Sequence, residues 1–169
     1  EMIFIGFAMA LYLVMAAFDA SQKFVYLAVL FGLFGLVIAW KLFESVDDEP
    51  AGNEKMSEIA DSIHEGAMVF LAREYKILGY FVGAIFLLLL ILITVQSGFW
   101  MGLWTAVSYV VGAGCSMLAG YFGMNAATTS GARTSQAALE GGQAKALNIA
   151  FNGGAVMGLC VASLGLIGV

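Results

Sequence analysis

Few residues in this chain are of types that carry chemistry, and their spacing limits what each can do. Carboxylates crowd together at Glu44, Asp47, Asp48 and Glu49, just ahead of Pro50 and Gly52. Such oxygens suit divalent cations, but a calcium loop sets its ligands at alternate positions around an obligatory glycine turn, and that spacing is missing. A solvated acidic loop is the expectation. The one histidine, His64, stands beside Glu65, a pairing that suits a pH-sensitive group. A lone histidine at a helix surface or membrane interface is the simpler reading. Cys115 and Cys160 lie inside apolar stretches and share no ligand spacing with each other or with His64. Neither a disulfide frame nor a zinc site is expected of them. The chain has no phosphate-cradling glycine loop, no Gly-x-Ser-x-Gly elbow and no pair of carboxylates inside an apolar stretch. No catalytic, cofactor-binding or metal-binding residue is assigned from the sequence.

The elements that hold these residues are set by lipid. Of the residues, 62% are apolar and 11% charged, with a single proline, a composition far from that of a water-soluble domain. Apolar runs cover residues 2–18, 24–43, 78–95, 99–124 and 149–169. A helix of ~20 residues crosses a hydrocarbon core of roughly 30 Å. Unpaired backbone groups are not tolerated in lipid, and the run 81–93 is apolar on every face rather than alternating, so helices and not barrel strands are predicted. The predicted fold class is all-α, an integral membrane helical bundle of four to five transmembrane helices belonging to a larger bundle.

The expected organisation follows in chain order. Residues 1–23 form an extra N-terminal apolar helix or a signal, with a polar break from Asp19 to Lys23, and a transmembrane helix covers 24–43. Residues 44–77 form the cytoplasmic acidic loop and an amphipathic helix, and transmembrane helices follow at 78–95 and 99–127. A cytoplasmic loop at 128–148 leads to a last, truncated span at 149–169. In the amphipathic part, Met56, Ile59, Ala60, Ile63, Ala67, Phe70 and Leu71 recur at helical spacing, with Glu54, Glu58, Asp61 and Glu65 opposite. No strong breaker follows before Leu78, so this helix is expected to run on into the bilayer, with Arg73 and Lys76 at the interface. Lys and Arg set orientation. If every stretch spans, Lys41, Lys55, Arg73, Lys76, Arg133 and Lys145 share one side and Lys23 stands alone on the other, which places 41–77 and 128–148 in the cytoplasm.

Two stripes of small residues, Gly112, Ser116 and Gly120, and Gly154, Gly158 and Ala162, are expected to pack closely against partner helices. Apart from Lys41 close to the end of 24–43, no Asp, Glu, Lys or Arg lies inside a span. Ion relays use such groups, so a complete pump is not contained in these 169 residues.

Residues alone lead no further than a helical membrane bundle; resemblance adds the rest. The segment 52–76, GNEKMSEIADSIHEGAMVFLAREYK, resembles the stretch entering the second helix of membrane-integral pyrophosphatases, through Gly52, Glu54, Met56, Glu58, Ile59, Ile63, Gly66, Ala67, Phe70, Leu71, Glu74 and Lys76. The segment 119–134, AGYFGMNAATTSGART, is similar to the exit of that family's third helix, at Gly123, Met124, Ala127, Thr128, Arg133 and Thr134. A shorter likeness is Gly153, Gly154, Val156, Met157 and Gly158. The likeness departs at Gly131, where the family has Asn, and at Asn125 and Thr129, which are often basic there.

The resemblance implies the N-terminal part of a homodimeric pump that hydrolyses inorganic pyrophosphate with Mg2+ and moves H+ or Na+ outward. Dependence on K+ is left open. The magnesium would neutralise phosphate charge and lower the pKa of an attacking water. The family's Asp-rich motifs are absent from this chain, so no catalytic residue is carried over. The implied partners are pyrophosphate, the pumped ion, the lipid bilayer and a second copy, with no nucleic acid. The implied location is the cell's inner or plasma membrane or that of an acidic compartment. The alternatives are a small structural bundle that packs on a partner without catalysis, and an ion-channel subunit, for which the spans offer few polar positions beyond Ser108, Ser116, Asn152 and Ser163.

Overall fold

The computed structural model describes residues 2–17 and 20–168. They form five helices: α1 (Met2–Ala17), α2 (Ala20–Asp47), α3 (Glu54–Ser97), α4 (Phe99–Glu140) and α5 (Gly142–Ile167). Four of them, from α2 to α5, are long and apolar enough to cross a membrane. With 16 residues α1 falls short, rising about 24 Å at 1.5 Å per residue. The chain is thus an all-α membrane bundle.

α4 lies between α3 and α5, α2 packs on α5 and touches α4, and α1 rests on α2. Phe7 of α1 stacks on Phe34 of α2 with ring centroids 4.0 Å apart. The buried core is small: Ala39, Ala119, Ala126, Val156 and Cys160 form its main cluster, and Val46, Ala137, Ala146 and Ile149 a second one nearer the 48–53 loop. Alanines dominate because association in lipid is driven by close backbone packing rather than by the hydrophobic effect. Where α5 meets α4, a Cβ on Gly153 would stand 2.6 Å from that of Ser130, and a methyl on Gly32 would meet the Ser163 carbonyl of α5 at 2.7 Å.

The structure corrects the expected boundaries. Residues 128–140, expected as loop, continue α4, and α5 opens at Gly142. The segment holds no proline and is rich in alanine, and Thr128, Ser130 and Ser135 turn their hydroxyls onto carbonyls one turn back, within the helix. The break comes only at Gly142, whose φ of +76° L side chains rarely adopt. Glu44 and Asp47 also belong to α2 rather than to the acidic loop, and the Trp40 indole donates to Glu44 one turn on at 3.0 Å. The polar stretch after α1 is helical from Ala20, while Asp19 lies outside the described residues.

The small-residue stripes are corrected as well. Gly112, Ser116, Gly154, Gly158 and Ala162 are exposed on this set of helices, and a Cβ at any of the four glycines Gly112, Gly114, Gly154 and Gly158 would meet nothing within 4 Å. Only Gly120 approaches a neighbour, the Tyr75 hydroxyl at 3.0 Å from its would-be Cβ. Helical spacing marks a face; it does not say which neighbour that face meets.

α3 is one continuous helix of 44 residues, about 66 Å long, roughly twice the hydrocarbon thickness. With its uncharged run 78–95 in lipid, residues 54–77 rise some 36 Å beyond it. α4 runs beside it at similar length. Both helices therefore project well out of the bilayer at the end that carries the 48–53 loop.

Candidate functional site at the basic end of the bundle

That projecting end gathers most of the polar contacts. Arg133, on the outer part of α4, reaches the end of α2 and the loop after it. Its Nη2 donates to the Asp47 carboxylate at 2.6 Å and to the Asp47 carbonyl at 3.0 Å, and its Nε donates to the Glu49 carbonyl at 3.0 Å. Nη1 donates to the Thr129 carbonyl at 3.0 Å, one turn back in its own helix. The planar fork of donors lets one arginine hold several acceptors at once. The last carbonyls of a helix lack partners within it, so those of α2 are natural targets. Lys145 of α5 adds a second tie, its Nζ lying 2.7 Å from Glu49. Two cations from two helices thus fasten the acidic loop.

The loop leads directly into α3. Asn53 caps that helix, its side-chain oxygen accepting from the Met56 amide at 2.9 Å. Farther along α3, His64 Nδ1 lies 2.8 Å from Thr128 Oγ1 of α4. The Thr128 hydroxyl proton is already directed at the Met124 and Asn125 carbonyls, at 3.0 and 3.1 Å. His64 and Thr128 thus share a hydrogen bond that joins α3 to α4. His64 is a strut between helices rather than a bare surface residue. Nearer the membrane, the Tyr75 hydroxyl donates to the Met117 carbonyl.

Between these contacts lies a polar cleft of about 390 Å³, lined among others by Asp47, Asp61, His64, Asn125, Thr129 and Arg133. It holds two carboxylates, one histidine and one guanidinium. Arg133 takes up the Asp47 carboxylate, and among the described residues no three of His, Cys, Asp and Glu converge to hold a metal. Its groups tie neighbouring helices together: Arg133 binds the end of α2, and His64 with Thr128 joins α3 to α4.

The segments singled out in the sequence meet here. Residues of 52–76 touch those of 119–134 through His64 and Thr128. The latter touch the Gly153–Gly158 stretch, where a Cβ on Gly123 would lie 2.5 Å from Met157 Cγ. Gly52, with φ of +101°, sits over Met56 and Gln136. The basic residues of the orientation count divide in this structure: Arg133 and Lys145 join the site, while Lys41, Lys55, Arg73 and Lys76 make no ion pair among the described residues. Sequence reasoning missed the partners of Arg133 and His64, because nothing local announces a contact 64 to 86 residues away.

Comparison with known proteins adds the family. A family model described as inorganic H+ pyrophosphatase matches residues 33–169. A provisionally named K(+)-stimulated pyrophosphate-energized sodium pump of Clostridium tetani is 46% identical over 138 residues, covering 82% of this chain and 19% of its own length. A K(+)-insensitive pyrophosphate-energized proton pump of Methanosarcina mazei is 40% identical, covering 87% of this chain and 21% of its own length. One of the same description from Pyrobaculum aerophilum is 41% identical, covering 83% and 19%. The chain spans about a fifth of the length of the curated relatives it matches.

Proposed function

This chain belongs to the inorganic H+ pyrophosphatase family, and we propose that it is the N-terminal part of an integral, multi-pass membrane pump that couples pyrophosphate hydrolysis to outward movement of H+ or Na+. The observation that carries the reading is the family match over 33–169, whose three most recognisable segments touch one another in the bundle. The Lys and Arg count supports a cytoplasmic position for that end.

Within such a pump these helices act as scaffold. Their ends are pinned by Arg133, Lys145, Asn53 and His64, and their lipid-spanning parts carry no ionisable relay. Magnesium would neutralise phosphate charge and activate water, but the described residues offer no cradle for it, so its ligands are assigned to the rest of the polypeptide. Homodimer formation is part of the same reading.

The test is phosphate release from pyrophosphate by membranes containing the full polypeptide, with and without Mg2+, alongside ion uptake into sealed vesicles. Mg2+-dependent hydrolysis with ion uptake supports the pump. Repeating the assay with Na+ and K+ varied separates a K+-stimulated sodium pump from a K+-insensitive proton pump. Absence of hydrolysis from a correctly inserted full-length protein would overturn the proposal and leave a structural bundle.

A further inference from the structure

An apolar groove of about 500 Å³ runs between α2 and α4, with Trp40 and Phe43 on one wall, Tyr121 and Phe122 on the other, and Val156 and Cys160 of α5 as its floor. At its water end it meets the polar cleft, since Phe43 and Asn125 line both cavities. Its depth follows from the spans. Asn125 stands 26 residues after Phe99, about 39 Å along α4 and so roughly 9 Å beyond a hydrocarbon core of about 30 Å. Asn125 therefore lies among lipid headgroups, with Tyr121 and Phe122 one turn deeper, at the interface. Trp40 lies at the matching end of the 24–43 apolar run. The groove is apolar toward the membrane interior and polar toward water, the profile of a phospholipid.

The distribution of side chains favours lipid over another helix as its occupant. Helices meet in lipid through small residues that let backbones approach. The small-residue stripes of this chain lie on the opposite face: at about 100° per residue, Gly120 is turned roughly 200° from Phe122, Gly154 from Val156 and Gly158 from Cys160. A Cβ on Gly154 or Gly158 would meet nothing within 4 Å, so the room for a close-packed helix is on that face. The groove is instead walled by large rings, of which Trp40, Tyr121 and Phe122 are exposed. Trp and Tyr gather where a membrane protein meets the headgroup layer.

We infer that this groove seats one acyl chain of a phospholipid, with the ester and phosphate oxygens of that lipid at Asn125. The Asn125 side-chain amide offers two N–H donors to such oxygens. Below it, the rings give the chain flat apolar walls, and the buried Val156 and Cys160 close the floor. The groove is formed before the lipid arrives, because its floor belongs to the main buried cluster and its water end borders the cleft fastened by Arg133. The inference goes beyond the pump reading and needs only that these helices sit in a bilayer.

The experiment uses the full-length protein in vesicles of phosphatidylethanolamine and phosphatidylglycerol, doped with phosphatidylethanolamine that carries a diazirine in one acyl chain. Samples are irradiated in the vesicles or after exchange into lipid-free detergent, and adducts are mapped by peptide mass spectrometry. The expected result is adducts on residues 36–43 and 121–125 that fall less than twofold on exchange, while adducts on all other spans together fall at least tenfold. In Trp40→Ala/Phe122→Ala the retained groove adducts should drop at least fivefold, with adducts elsewhere in vesicles unchanged as the sign of an intact fold. No adduct on either groove segment in vesicles would overturn the inference by showing a groove closed by protein. Groove adducts lost on exchange as fully as the others would overturn it in favour of freely exchanging boundary lipid. Retention untouched by the double variant would overturn the ring-walled groove as the seat. The readout does not depend on catalysis, so a protein that hydrolyses no pyrophosphate yet retains the lipid would sink the pump and leave the lipid seat standing.

Discussion

Removing the Arg133 side chain is the sharpest test of how the loop-bearing end is held. In Arg133→Ala the carbonyls of Asp47 and Glu49 and the Asp47 carboxylate lose a donor, while the Thr129 carbonyl lies inside α4 and keeps its helical environment. Hydrogen bonds to charged groups contribute about 1.5–3 kcal/mol where water is excluded, but these acceptors lie at a hydrated helix end and rehydrate when freed. Taking roughly 1 kcal/mol for each of the two carbonyls, near the ordinary net value, gives about 2 kcal/mol. The ion pair adds little, because the Asp47 side chain is 56% exposed and such pairs are typically worth about 0–1 kcal/mol. A change of about 2 kcal/mol raises the population of the detached loop roughly thirtyfold. The reporters are the Asp48 and Glu49 amides, which donate to the carbonyls of Glu44 and Val46 at 3.0 and 3.2 Å. Hydrogen exchange on the membrane-embedded protein should show these amides exchanging ~30-fold faster, within the range of local openings. Arg133→Lys should fall between, because a single ammonium cannot span the fork. A change below about threefold in Arg133→Ala would refute the assignment of Arg133 as the clasp.

Further expectations concern other joints. Gly153→Ala drives a methyl into Ser130 at the α4–α5 contact and should cost about 1–3 kcal/mol, read as a fall in melting temperature, whereas Gly66→Ala, which meets nothing within 4 Å, should be neutral or stabilising. Asn53→Ala removes the α3 cap and should cost ~1 kcal/mol, seen as faster exchange of the Met56 amide with later turns unchanged. Tyr75→Phe deletes the hydroxyl that donates to the Met117 carbonyl and should cost about 0.6 kcal/mol, the average for an interhelical bond in membranes; a loss above ~2 kcal/mol in denaturant titration would show that the contact does more than join α3 to α4.

The hydrophobic stretches foretold the spanning helices, because apolar length is a local property and the bilayer supplies the same partner to every such run. The unbroken passage of α3 from Glu54 through Arg73 and Lys76 into the membrane was legible for the same reason: no proline interrupts it. The helical character of 128–140 was not foreseen. Its polarity suggested a loop, yet alanine-rich sequence with hydroxyls bonded inside the helix and no breaker before Gly141 keeps it helical. Gly112 and Gly154 show the limit of spacing rules, since each belongs to a regular small-residue stripe yet faces away from the neighbours described here, while Gly153, one position along, takes the contact. A rotation of about 100° per residue separates the two.

By itself, the sequence determined that the chain lives in lipid, that it spans as helices, which end carries the basic residues and which family it resembles. All of these follow from composition, periodicity and contiguous motifs. Only the tertiary structure decided that Arg133 clasps the α2 terminus, that His64 hydrogen-bonds Thr128 and that an apolar groove opens between α3 and α4 beyond the bilayer. Those features depend on the axial register of long helices. A shift of one turn, about 5.4 Å, would break every one of them while leaving each helix's own pattern of apolar and polar residues unchanged.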